Sequence, residues 1–398
     1  MTEKENSAML QKMYDFIDAS YEDMVELLVK LAEIESPSSY KEGVDRVCAE
    51  IKKFCEDNGI QTKVYEYPNA GNSFTAIINK DSGKKEIALM GHMDTVHPVG
   101  AFGESTVMIE DGYIHGPGVY DCKGGLVIAL YTILALKKFG YRDRPVKLIF
   151  SGDEEVGHRD SDGAEVFCED ADIMEAALNC ESGMLDGRVA VGRKGGIGMR
   201  VVIEGVAAHA GNNPQDGRSA IKEAAYKIIE IEKHTDYEGT TFNCGLISGG
   251  TVPNQIPDHC EFSIDCRIKT EEAGRDAVRL MQSIADRVYV DGTKTTLIVP
   301  SRIGKPMEAN EANMALFERY REASRVAGAI EPRAFFSGGG SDASITSGAG
   351  VPSICTLGIM GADNHSLRER ALLSSLKERS KVLLALILNF DRKQHDKI

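Results

Sequence analysis

"EIALMGHMDTVHP", residues 86–98, runs an apolar stretch straight into two imidazoles and a carboxylate. On an extended segment, residues i and i+2 point to the same side, so His92 and Asp94 share a face. A metal-binding histidine usually donates its other ring N–H to a carboxylate, which orients it. H-x-D at a strand end can therefore build a ligand with its orienting partner, although the same pair can simply cap a loop. Working outward, "YEDMVELLVKLAEI" (21–34) and "GVDRVCAEIKKFCEDNG" (43–59) have helical spacing, the second closing at Gly59 as a C-cap. Downstream, "GGLVIALYTILALKKFG" (124–140) is a long apolar helix, while "PVKLIFSG" (145–152) and "IMEAALNC" (173–180) have strand character. This alternation predicts an α/β domain with a largely parallel sheet and functional residues at strand ends.

The pattern changes near residue 195. "GIGMRVVIEGVAAHAG", "DGRSAIKEAAYKIIEIEKH", "TTFNCGLISGG", "CEFSIDCRI", "EEAGRDAVRLMQSIADRV" and "TTLIVP" form two strand–helix–strand units. Their size suits a small α+β sandwich. After Pro306 long helices return. The expected organisation is a first domain in two parts, 1–194 and 305–398, interrupted by an inserted one, 195–304.

At 398 residues the chain exceeds what one core usually covers. A net charge of −15 and the absence of a basic run exclude a general affinity for nucleic acid. The N-terminal "MTEKENSAMLQKMYDF" lacks the apolar stretch of a leader, and no unbroken apolar run reaches the roughly 18 residues of a membrane span. Nine scattered cysteines without C-x-x-C suit a reducing compartment, so a cytoplasmic location is expected.

Four further segments carry candidate chemistry. "HGPGVYDCKGG" (115–125) puts Asp121 in a glycine-rich loop before the apolar helix. "LIFSGDEEVGH" (148–158) ends a strand with Asp153, Glu154 and Glu155, which would repel unless solvated or near a cation. "LNCESG" (178–183) puts Glu181 after another strand, and "GADNHSLRE" (361–369) puts His365 in a loop before the last helix. Each alone has an ordinary explanation as a cap, an acidic turn or a surface histidine. Jointly they place two imidazoles and several carboxylates where open α/β sheets assemble their sites. Mixed imidazole and carboxylate donors suit Zn²⁺ or its neighbours, and five donors suit two ions sharing one carboxylate.

The joint pattern of "GHMDTV", "GPGVYDCKGG", "DEEVG", "NCESG", "AHAGNNPQDGRSA", "GGTVPNQIPDHC", "DCR", "GGGSDAS" and a late histidine resembles one family. It is the two-zinc metallopeptidase family of glutamate carboxypeptidase, acetylornithine deacetylase, succinyl-diaminopimelate desuccinylase and aminoacylase. The run "AAHAGNNPQDGRSAI" leans towards the glutamate carboxypeptidase branch. The resemblance implies a zinc-peptidase catalytic domain, a central mixed sheet flanked by helices, with an inserted α+β lid and dimerisation domain. It implies two Zn²⁺ per subunit, with Co²⁺ or Mn²⁺ as substitutes. His92, Asp121 and Glu181 would hold one ion and Asp121, Glu155 and His365 the other. Asp94 would orient His92, Glu154 would be the general base, and His209 would donate to the oxyanion. Asn254, Arg267 and the backbone of Gly339 and Gly340 would grip a substrate carboxylate. His97 has no role in that pattern. In relatives the shared aspartate precedes a cis peptide.

The resemblance thus implies a homodimeric enzyme that cleaves an amide beside a free α-carboxylate in a small peptide. An N-acyl-amino-acid deacylase is the alternative, and a non-catalytic binding relative a more distant one. One departure stands out: after "DEEVG" the branch carries small residues, whereas here "HRDSDG" supplies His158, Arg159 and Asp160.

Overall fold

A computed structural model describes residues 3–103, 106–300 and 303–391. The chain forms two compact units. One comprises Met1–Val191, Ala309–Phe336 and Ser341–Ile398; the other comprises Gly192–Glu308 and Ser337–Gly340.

The first unit is built on a six-stranded sheet. In spatial order its strands are Gln61–Tyr65, Ser73–Ile78, Val146–Ser151, Glu86–His92, Met174–Asn179 and Ser353–Ile354. The first two pairings are antiparallel and the remaining three parallel, so the sheet is mixed. Glu86–His92 lies in the middle and is buried at every position, which explains its near-continuous apolar reading. In register, His92 stands opposite Ser151, so neighbouring strands deliver His92, the 153–155 acids and Glu181 to the same sheet edge. That edge is where parallel strands leave their carboxyl ends.

Helices cover this sheet. Gly124–Lys138 buries nearly its whole length. The stretch Val119–Lys138 is long and apolar enough by composition to cross a membrane, which the unbroken-run criterion missed, yet nearly all of it is buried inside the protein. Its close approach depends on Gly125, where a Cβ would stand 1.7 Å from the Cys180 carbonyl oxygen. The start of the helix, and Asp121 with it, is thereby pressed against the strand end that carries Glu181. The N-terminal stretch is a helix, Glu3–Ala19, with Leu10, Met13 and Ile17 buried at helical spacing.

The second unit has a four-stranded antiparallel sheet ordered Thr241–Gly249, His259–Ile268, Gly195–Glu204, Lys294–Ile298. Its strict alternation of buried and less buried positions along Gly195–Glu204 is the period-two pattern of a half-buried sheet. Helices Ala220–Glu232 and Glu271–Asp286 pack with it, each opened by a hydroxyl cap: Ser219 accepts from the Lys222 amide and Thr270 from the Ala273 amide.

Candidate metal centre

Residues separated by as much as 273 positions meet in the first unit. His92, Asp121 and Glu181 offer ligand atoms all within 4.8 Å of one another, and so do Asp121, Glu155 and His365. Asp121 belongs to both trios. Its Oδ1 lies 3.2 Å from His92 Nε2, and its Oδ2 lies 3.3 Å from His365 Nε2. Glu181 Oε1 is 3.6 Å from His92 Nε2, and Glu155 Oε2 is 3.3 Å from His365 Nε2. The Asp121–Cys122 peptide is cis. His92, Asp121 and Glu181 are buried, while the His365 side chain is half exposed.

So dense a set of acids has electrostatic consequences. Burial works to raise the Asp121 carboxyl, but His365, His92 and Asn364 outweigh it and hold Asp121 well below the usual carboxylate range. Hydrogen bonds to Asp121 and Glu155 push His365 up to about 10. Glu154 goes the other way: burial, with Glu181, Asp342 and Glu155 adding like charge, holds it well above the ordinary glutamate range. Glu155 Oε1 is buried with no hydrogen-bond partner among the described residues. A polar atom left so is costly unless something else takes it up. Two imidazoles, three carboxylates, one of them shared, and an unclaimed oxygen suit a pair of divalent cations of the zinc type.

Asp94 does more than orient His92. Fully buried, it lies with Oδ1 3.4 Å from His92 Nδ1, whose nearest acceptor is the Asp94 carbonyl at 3.0 Å. Its carboxylate also accepts from the backbone amides of Glu154 and Glu155, both at 3.1 Å, and from Ser38 Oγ at 2.6 Å. Asp94 therefore aims the acidic turn as well as the imidazole.

Glu369 escapes a reading of the sequence. Its Oε1 accepts from the amides of Tyr120 and Asp121, both at 3.0 Å, and its Oε2 pairs with His97 Nε2 at 2.7 Å. His97, without a role in the family pattern, thus braces the loop that carries Asp121. The "SLRE" context looks like a charged helix start and offers no signal for this.

The remaining candidates lie in the second unit. His209 Nδ1 accepts from the amides of Gly211 and Asn212, both at 3.1 Å, which leaves the proton on Nε2 and makes that nitrogen an outward donor. His209 pairs with Gln255 across a short antiparallel ladder, and the neighbouring Asn254 carbonyl accepts from the Ala210 amide at 2.9 Å. Arg267 lies on the strand His259–Ile268 with its Nε 2.9 Å from Asp265 Oδ2. Arg193 Nη1 donates to the carbonyls of Gly339 and Gly340 at 3.3 and 2.8 Å and holds that glycine stretch in place.

Comparison with known proteins agrees with this chemistry. Residues 88–389 match the peptidase family M20/M25/M40. Carboxypeptidase G2 of Pseudomonas sp. (strain RS-16) is 30% identical over 319 residues, covering 78% of this chain and 75% of that protein. Succinyl-diaminopimelate desuccinylase of Corynebacterium glutamicum is 26% identical over 281 residues, covering 68% and 72%. Among solved structures, a tripeptidase from Staphylococcus aureus superposes with a TM-score of 0.79 at 24% identity, covering 94% of this chain and 99% of that one. A match over this much of the chain leaves one assignment: the protein belongs to the M20 family of metallopeptidases.

Proposed function

We propose that this chain hydrolyses an amide bond beside a free α-carboxylate in a small peptide, as a carboxypeptidase or dipeptidase. The observation that carries the reading is Asp121, whose two oxygens face two separate trios of donors. His92 and Glu181 would hold one Zn²⁺ with Asp121; Glu155 and His365 would hold the other. When bound, such ions polarise a carbonyl and make water a nucleophile at neutral pH.

The protein's own groups do the rest. Glu154 takes the proton from the attacking water and returns it to the leaving amine; a carboxyl raised above its usual range suits both transfers. Asp94 and Glu369 keep His92, the acidic turn and the Asp121 loop in place. In the second unit, Arg267 offers a carboxylate its bidentate fork, with Asn254 and the amides of Gly339 and Gly340 as further donors. His209 Nε2–H is assigned to the oxyanion, where charge develops only in the transition state.

Homology to a desuccinylase supports an N-acyl-amino-acid deacylase as the second reading. A panel of dipeptides, tripeptides, N-acetyl and N-succinyl amino acids separates the two. Release of a C-terminal amino acid from peptides supports the first reading, and preferential release of acetate or succinate supports the second. No turnover of either set by zinc-loaded protein defeats both.

We further place the protein in the cytoplasm, supported by nine scattered cysteines without a C-x-x-C pair. We also infer a homodimer through the second unit. Support comes from its edge strand Thr241–Gly249, which leaves Leu246 and Ile247 73% and 57% exposed. An open apolar edge of this kind is a template for pairing with a second copy.

A further inference from the structure

The departure at "HRDSDG" has a structural outcome. His158 is buried, and its backbone φ of +54° turns the ring back beneath the acidic turn. Its Nδ1 donates to Asp153 Oδ1 at 2.8 Å and its Nε2 to Asp342 Oδ1 at 2.7 Å. The other oxygens are taken as well: Ser161 Oγ donates to Asp153 Oδ2 at 2.6 Å, and Ser151 Oγ to Asp342 Oδ2 at 2.7 Å. Burial opposes a charge on His158, but Asp342 and Asp153 together push it up to about 11, so both nitrogens carry protons. The ring is therefore an imidazolium clamped between two carboxylates.

What the clamp joins matters more than the clamp itself. Asp153 immediately precedes Glu154 and Glu155, and the turn closes through the Gly157 amide on the Glu154 carbonyl at 2.7 Å and the His158 amide on the Asp153 carbonyl at 3.1 Å. Ser151 ends the strand beside His92. Asp342 opens the helix Ala343–Gly348. Asp94 fixes the amides of Glu154 and Glu155 from one side. The His158 clamp fixes the same turn from the preceding residue.

We propose that His158 is a positioning residue that sets the direction of the Glu154 and Glu155 side chains by tying their turn to Asp342 and, through it, to Ser151. The proposal rests on reading Glu155 as a metal ligand and Glu154 as the base. It differs from a purely structural role, because charge balance alone could be met without the link.

The test uses that difference. The His158→Leu variant leaves two buried carboxylates unpaired, whereas His158→Leu combined with Asp153→Asn and Asp342→Asn removes the charges and still lacks the link. Full-length proteins are titrated with Co²⁺, followed by its visible absorption, and assayed with the substrate that the panel identifies. For the triple variant the expected result is a melting temperature within a few degrees of wild type. Its weaker Co²⁺ step falls at least tenfold in affinity and kcat at least tenfold, while KM changes less than threefold. Wild-type Co²⁺ affinity and kcat in the triple variant overturn the proposal. Should the triple variant not fold, His158→Gln keeps one of the two bonds; a partial loss in both readouts supports the proposal and wild-type values overturn it. A wild-type protein that binds two Co²⁺ but cleaves no amide ends the functional reading alone, and the Co²⁺ affinities still decide the role of His158. Absence of Co²⁺ binding by wild type overturns both.

Discussion

Replacing Asp94 by asparagine tests how the centre is held together, because the structure dictates which way the new amide must turn. If Nδ2 took the place of Oδ1, it would face two donors, the Glu154 amide and His92 Nδ1–H. If it took the place of Oδ2, it would face Ser38 Oγ and the Glu155 amide. A serine hydroxyl can reverse and accept from Nδ2, whereas the first orientation turns Nδ2 on N–H groups only, so the second is preferred. The amide of Glu155 is the group orphaned. A buried donor without a partner costs about 1–3 kcal/mol, which corresponds to a loss of roughly 5- to 150-fold in affinity. That loss falls on the trio containing Glu155, whereas the retained Oδ1 and the Asp94 carbonyl still face His92 Nδ1. The assay is Co²⁺ affinity in two backgrounds: Glu181→Ala, which disables the His92 trio, and His365→Ala, which disables the Glu155 trio. Asp94→Asn should reduce affinity at least about fivefold more in the first background than in the second. An equal loss, or a larger one in the His365→Ala background, would show that Asp94 acts only through His92 and would refute the reasoning.

Other outcomes rest on the same geometry. Glu154→Gln should keep both metal affinities and the fold while lowering kcat by about 10²- to 10⁴-fold, the usual worth of a general acid–base group; metal analysis beside steady-state kinetics checks it. Glu86 is buried at the start of the central strand, where burial pushes its carboxyl up to about 7 against the opposing pull of Lys147. Its folded value lies above the unfolded one, so its contribution is intact below about pH 4.3 and is lost as pH rises through about 7. Glu86→Gln should therefore stabilise the protein by up to about 4 kcal/mol at pH 8.5 and by nothing at pH 4, as read from denaturant melts at the two pH values. On the proposed dimer, Leu246→Glu at the exposed edge strand should give a monomer in light scattering where the unaltered protein gives a dimer, without lowering the protein's melting temperature.

The parts of the centre that could be read from the sequence share one property: their meaning is local. His92, Asp121, Glu155, Glu181 and His365 each sit at a strand end or in the loop beyond it, and strand ends are marked by apolar runs that stop. Strand and helix were legible for the same reason, since the buried strand Glu86–His92 and the buried helix Gly124–Lys138 have different lengths and spacings, whereas the two antiparallel pairings that make the sheet mixed were expected only from the family resemblance. Glu369 was not legible, because its partners are two backbone amides and a histidine 272 residues away. Backbone amides carry no residue-type signal, so only packing shows where they point. The acidic turn is the sharpest case. "DEE" offers three carboxylates in a row, and nothing in the letters says where each one points. The amides of Glu154 and Glu155 on Asp94, and Asp153 on His158, fix the turn's backbone from both sides. Each carboxylate then leaves that backbone in its own direction: Asp153 back to the imidazolium, Glu155 to His365, and Glu154 into a setting that raises its pKa.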